Sequence, residues 1–181
     1  RAQEVAAAVA ASVPLTESTR LLEYGAGTGL VSQSLSERVA EVVLADNSAG
    51  MREVMSQKIE AGTLPAQARV WDLDLERDPV PDEEFDLVVT SMVLHHVRDL
   101  PAVLTGFAAL LRPGGHLCIA DLDREDGSFH DHDFDGHHGF DRAELRTALL
   151  AAGFADVRTQ DCTSILKEGT AYGVFLATAV R

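Results

Sequence analysis

The chain has 181 residues, 46% hydrophobic and 24% charged, the balance of one folded domain rather than of a disordered chain. Its formal net charge is -14, with 15 Lys and Arg scattered among 29 Asp and Glu, whereas a phosphate-tracking surface needs clustered basic residues, so no nucleic-acid partner is expected. No apolar run approaches the roughly 18 residues that cross a bilayer, and a cytoplasmic protein with no membrane partner is expected.

The first element runs from Ala2 to Val13, where Val5, Val9 and Val13 recur at helical spacing before Pro14 stops the pattern. It reads as an amphipathic helix packed on a domain and lacks the long apolar centre of a signal peptide. The chain begins at Arg1 rather than Met, so some N-terminal sequence is expected to be missing.

From Arg20 onward, strands and helices alternate. Arg20 to Tyr24 reads as a strand that breaks at Gly25, and Leu30, Val31 and Leu35 give a helical face. Val42-Val43-Leu44 forms a short buried strand ending at Asp46-Asn47. Ser48 then caps a helix whose predicted buried face is Met51, Val54, Met55 and Ile59. Ala68 to Trp71 is a weaker strand, and Phe85 to Thr90 is the clearest one.

Asp99, with Pro101 just inside, starts a helix bearing Val103, Leu104, Phe107, Leu110 and Leu111. Pro113-Gly114-Gly115 ends it, and His116 to Leu122 resumes extended chain. Asp141 and Glu144 resemble a capping box heading a helix that Gly153 closes. The last two strands, around Val157 to Thr163 and Tyr172 to Thr178, flank a turn at Lys167-Glu168-Gly169. This rhythm predicts an α/β fold: a Rossmann-like, doubly wound, mostly parallel sheet with a terminal antiparallel hairpin, in one domain spanning 1–181. Cys118 and Cys162 each sit in an apolar, strand-like context and are expected to be free thiols.

In such a sheet, ligands bind beyond the carboxyl ends of the strands. The unusual residues of this sequence fall there. Glu23-Tyr24-Gly25-Ala26-Gly27-Thr28-Gly29 joins a strand to a helix, and its glycines serve either as a tight turn or as a place where a ligand approaches bare backbone. Asp46, about twenty residues after the first glycine, stands where a carboxylate accepts the hydroxyls of a ribose; a loop or capping acid is the other reading. Asp72-Leu73 follows the third strand and could hold an adenine, although Asp72, Asp74, Glu76 and Asp78 together also read as a solvated acidic run. The glycines are spaced G-x-G-x-G, not the G-x-G-x-x-G of nicotinamide enzymes, and Glu23 before them would repel a pyrophosphate.

With Phe85 to Val97 and Leu111-Arg112-Pro113-Gly114-Gly115 added, this ordered set resembles the class I S-adenosylmethionine-dependent methyltransferases. It is most similar to the small-molecule branch that includes the ubiquinone and menaquinone methyltransferases. The likeness covers about Leu21 to Thr178. It implies a seven-stranded sheet and an enzyme that moves the methyl of S-adenosylmethionine to a small-molecule acceptor. It also implies that Glu23, Gly25, Ala26, Gly27 and Gly29 wrap the methionine end of the cofactor, that Asp46 and Asn47 take the ribose and that Asp72 and Leu73 clamp the adenine. Ser91 and Met92 would contact the amino-acid moiety, while His95-His96-Val97 matches a helix start.

Candidate catalytic residues are His95, His96, His137 and His138, the last two in an irregular stretch from Asp123 to Phe140 that also holds His130 and His132. Connections of that length are usually functional. The stretch is expected to shape the acceptor side of the pocket, with Phe129, Phe134 and Phe140 as anchors. No metal is expected, since the spacing of a zinc motif is missing. Two other functions stay open at this point: a cofactor-binding regulatory subunit without turnover, and a nicotinamide-dependent oxidoreductase.

Overall fold

The computed structural model describes all residues from Arg1 to Arg181. In chain order the elements are α1 (Ala2–Ser12), β1 (Arg20–Tyr24), α2 (Leu30–Leu35), β2 (Glu41–Ala45), α3 (Ala49–Glu60), β3 (Arg69–Trp71) and β4 (Phe85–Ser91). There follow α4 (Leu100–Leu110), β5 (Leu111–Leu122), α5 (Arg142–Ala151), β6 (Ala155–Lys167) and β7 (Thr170–Val180), with single 3-10 turns at Ser36–Arg38 and Leu94–His96.

The seven strands form one sheet in the order β3-β2-β1-β4-β5-β7-β6. Strands β1 to β5 are parallel, and β7 enters antiparallel to both β5 and β6. The order reverses between β1 and β4, which makes their carboxyl ends the switch point of the sheet. The β6–β7 hairpin closes on Glu168 and Gly169, both at positive φ (49° and 84°), the geometry of a two-residue turn whose twist matches its strands.

The core strands are apolar at nearly every position because both sheet faces are covered. Alternate residues divide between the faces. Leu22, Tyr24, Val43 and Val88 pack with Phe107 of α4 and Leu145 and Leu149 of α5. Leu21, Val42, Leu44 and Leu87 pack with Val5 and Val9 of α1, Val31 and Leu35 of α2 and Met55 of α3. Burying a side chain such as Phe107 stabilises the fold by roughly 1.5–3 kcal/mol. Glu23 falls on the second face, beneath α2, a placement that matters below.

Capping follows the sequence closely. The Ser48 side chain accepts from the Met51 amide, Asp99 from Ala102, and Asp141 from Ala143 and Glu144. The reciprocal half of the capping box is not made, because Glu144 pairs with Arg124 at 2.6 Å instead. On α3 only Met55 is fully buried, whereas Met51 and Val54 are exposed. That helix covers the thin edge of the sheet, where β3 has just three residues to present, so the predicted face is wider than the surface beneath it. Thr178 of β7 pairs with Cys118 of β5 on one side and Arg158 of β6 on the other. The whole width of β7 therefore separates the strands that carry Cys118 and Cys162.

Candidate active site

The glycine loop leaves β1 at the switch point in an unusual backbone path. Gly25, Gly27 and Gly29 all have positive φ (67°, 57° and 73°), the left-handed region where a Cβ is strained. At Gly25 there is a second reason: an added Cβ would stand 2.4 Å from Cγ2 of Val93, just past β4. At Gly27 an added Cβ would meet nothing within 4 Å. There the chain borders open space, and a side chain would fill it.

Asp46, at the end of β2, holds this loop in place. One of its carboxylate oxygens accepts the Gly27 amide at 2.8 Å and the other accepts the Ser48 amide at 2.8 Å. Each oxygen keeps a further lone pair. The loop is also tied by Lys58, which donates to the Thr28 carbonyl at 2.8 Å.

Glu23, which the resemblance sets with the glycines around the methionine end of the cofactor, lies beneath α2. It is 3% exposed, and its carboxylate accepts the Ser32 amide in the first turn of α2 at 2.9 Å. Burial pushes its pKa up to about 7, against smaller lowering contributions from Ser32 and Lys58. It caps a helix from below, with its edge on the hollow described next.

Two hollows meet at Gly25, Met92 and Val93. The first, about 260 Å³, is walled by the ends of β1 to β4: Tyr24, Asp46, Asn47, Leu73, Asp74, Glu76, His96 and Val97 complete it. The second, about 250 Å³, runs past Glu23, Ala26, Gly27, Thr28 and Ser91 toward Arg1 and Ala2 of α1. Met92 stands between the two with a positive φ of 61°, a strained conformation for a residue with a side chain. Strain of that kind is characteristic of functional sites. Three carboxylates and no Lys or Arg line the first hollow, so it favours a cationic ligand over an anionic one.

The other residues singled out from sequence are placed as follows. Leu73 is buried and forms an apolar wall of the first hollow, but Asp72 does not reach it. The Asp72 side chain is 67% exposed and pairs with Arg52 at 3.0 Å. The acid that faces the hollow is Asp74, 13% exposed, with Asn47 donating to it at 3.4 Å. Asp74 opens the turn that follows β3, its carboxylate accepting the Glu76 amide, while Asp72 is drawn away toward Arg52 of α3.

Among the candidate histidines only His96 lines the first hollow. Burial, then the neighbouring His95 and His130, lower its pKa. His95 is 2% exposed, with Nδ1 2.7 Å from Oδ1 of the fully buried Asp121. His137 packs on Phe140, with ring centroids 5.0 Å apart, in a separate hollow beside Arg124 and Glu144. His138 pairs with Glu125 at 3.3 Å. Neither side chain lines the first hollow, although the His137 amide donates to the His95 carbonyl at 2.7 Å, because the stretch folds as a closed loop whose ends are stitched together. The Arg124 amide donates to the Phe140 carbonyl, Glu125 to His138, and Phe140 to Leu122. His137 and His138 lie on the returning limb, whereas His130, near the tip, is the one that comes up against His95 and His96, with ring centroids 5.5 and 5.6 Å away.

Tyr24, Asp74, Glu76, Val93 and Asp121 were not singled out as site residues from sequence. Asp121 carried a signal, as an acid inside the apolar run Leu117 to Leu122, a placement that demands a buried partner. For the others, only the fold shows which way they face.

Similarity to known proteins agrees with this geometry. The chain is 33% identical over 120 residues to a ubiquinone biosynthesis O-methyltransferase of Bradyrhizobium sp., a match spanning 66% of this chain and 46% of that one. It is 35% identical over 116 residues to an uncharacterized methyltransferase of Schizosaccharomyces pombe, covering 61% and 41%. The chain thus spans less than half the length of these curated relatives. A solved methyltransferase candidate of Bacillus halodurans superposes with a TM-score of 0.77 over 97% of each chain, at 18% identity, a likeness of fold. The family model described as a methyltransferase domain matches residues 1–159, from α1 into β6 and across every strand end that walls the two hollows, and the chain belongs to the S-adenosylmethionine-dependent methyltransferase family.

Proposed function

We propose that the chain, as a single domain over 1–181, transfers a methyl group from S-adenosylmethionine to the oxygen of a small-molecule acceptor. The observation that carries this reading is the pair of hollows joined at Gly25, Met92 and Val93, one apolar-walled and acidic, the other running along the bare backbone of Gly27. A nucleoside with an amino-acid tail fits such a shape. Asp46 would take the ribose hydroxyls on its remaining lone pairs, with Asn47 beside it. Leu73 would pack on the adenine and Asp74 would accept its exocyclic amine. Gly25, Ala26, Gly27, Gly29, Ser91 and Met92 would border the methionine moiety, and Glu23 would act through the loop and helix it supports.

S-adenosylmethionine supplies a methyl group on a cationic sulfur, already activated for displacement. What the protein adds is alignment, which converts a two-body reaction into a nearly unimolecular one. The lining of three carboxylates without a basic side chain suits that positive charge and disfavours the pyrophosphate of a nicotinamide cofactor. The ubiquinone biosynthesis relatives favour oxygen as the acceptor atom. Turnover checks the proposal. Incubation with methyl-labelled S-adenosylmethionine and a panel of hydroxylated small molecules should move label to at least one of them and release S-adenosylhomocysteine in equal amount. Binding of the cofactor with no transfer to any hydroxylated, amino or carbon acceptor would make the chain a cofactor-binding subunit instead.

A further inference from the structure

Beside the first hollow the rings of His95, His96 and His130 come together in one cluster. A ring nitrogen of each lies within 4.8 Å of those of the other two. His95 and His96 come from the turn after β4, and His130 from the tip of the 123–140 loop, so only the folded chain assembles them. His95 Nδ1 is taken by Asp121 at 2.7 Å, and Asp121 is itself fixed by the amides of His95 and Leu122 at 3.3 and 2.8 Å. A carboxylate on one imidazole nitrogen sets the tautomer, leaving Nε2 with its lone pair. His130 Nδ1 is buried without a hydrogen-bond partner, and its ring is pressed flat on Phe134 at 3.6 Å between centroids.

We propose that His95, His96 and His130 form a site for one divalent transition-metal ion, with Asp121 as the carboxylate behind His95 and an open coordination position beside the first hollow. Three imidazole nitrogens at about 2.0–2.1 Å from a tetrahedral ion would stand roughly 3.4 Å apart, so small rotations of His96 and His130 complete the set. Neutral imidazole suits zinc, iron or cobalt better than magnesium or calcium. His96 belongs both to this cluster and to the hollow's wall, so the open position suits an acceptor that carries an oxygen or nitrogen lone pair. That use rests on the proposed methyl transfer; the metal site itself does not.

The test titrates chelator-treated, tag-free protein with Co²⁺ followed by visible absorption and with Zn²⁺ by calorimetry, alongside S-adenosylhomocysteine binding. One ion per chain is expected. His130→Ala and His96→Ala should each weaken it by at least a hundredfold, and Asp121→Asn by about 10–100-fold. His132→Ala and His138→Ala, in the same loop, should leave it within about twofold. Absence of saturable binding, or binding lost in His132→Ala or His138→Ala while His96→Ala and His130→Ala retain it, would overturn the site. Homocysteine-adduct binding without metal binding would sink the metal site and leave the methyl-transfer reading standing, and metal binding without nucleoside binding would do the reverse.

Discussion

The glycine loop at 25–29 and the histidine loop at 123–140 rise from strand ends of the same sheet, yet they are held by different forces. The first is fixed by backbone: three left-handed glycines, a carboxylate gripping the Gly27 amide and a lysine on the Thr28 carbonyl. The second is closed at its base by backbone bonds, but its tip is placed by side chains. Phe129 meets Tyr172 at 5.1 Å and Lys167 reaches Asp131 at 2.6 Å, while at the base Arg142 adds two bonds to Asp123 at 2.7 and 2.8 Å. A site held by backbone tolerates almost no change at its glycines and announces itself in sequence. One held by side chains keeps its fold through many changes and hides which residues face inward.

The sharpest break in this comparison comes from the glycines. Gly25→Val adds a left-handed side chain and a clash with Val93, a cost of roughly 2–5 kcal/mol, and should abolish cofactor binding as well as lower stability in urea unfolding. Gly27→Val meets open space, so it should lose cofactor binding while remaining folded, with only the backbone strain to carry. If both variants bind S-adenosylhomocysteine like the parent, the loop is merely a turn.

Asp46→Ala comes next. It should weaken S-adenosylhomocysteine binding by about 1.5–3 kcal/mol, the worth of hydrogen bonds to a charged group. Because Asp46 also holds the amides of Gly27 and Ser48, it should in addition cost about 1 kcal/mol of unfolding free energy. Loss of affinity without loss of stability would mean that the loop does not need its carboxylate tether.

Glu23 gives a smaller effect, visible in its pH dependence. Its folded pKa is raised to about 7 from 4.5, so between those values the folded chain binds a proton that the unfolded chain has released. Stability from this group is therefore present at low pH and lost as pH rises through 7. Glu23→Gln should flatten that fall, by on the order of 1–2 kcal/mol between pH 5 and pH 8. Equal slopes for the two proteins in denaturation at a series of pH values would contradict burial of Glu23 as an acid. The smallest expected effect belongs to the returning limb of the histidine loop: His137→Ala and His138→Ala should each leave S-adenosylhomocysteine affinity within about twofold in calorimetry.

The same contrast explains what the sequence disclosed. The alternation of strands and helices, caps at Ser48, Asp99 and Asp141 and the terminal hairpin were legible because each rests on local chemistry: an oxygen that meets a free amide, a glycine that accepts positive φ, an apolar run covered on both faces. The left-handed glycines of the 25–29 loop were legible for the same reason, and Asp46 is seen as a loop and capping acid that holds the Gly27 and Ser48 amides. Asp72 was preferred to Asp74 because acids at 72, 74, 76 and 78 look alike until the backbone turn after β3 settles their directions. His137 and His138 were preferred to His130 because nothing in the spacing of Asp123 to Phe140 tells which limb of a closed loop reaches the sheet. The buried pair of His95 and Asp121 joins residues 26 apart, a contact that only packing creates.

The central claim is that the two hollows hold an adenosyl amino acid, and calorimetry with S-adenosylhomocysteine against NAD and NADP tests it most directly. One saturable site for S-adenosylhomocysteine, lost in folded Gly27→Val protein, with no heat from either dinucleotide, is the result predicted. Saturable binding of NAD or NADP with none of S-adenosylhomocysteine would contradict it.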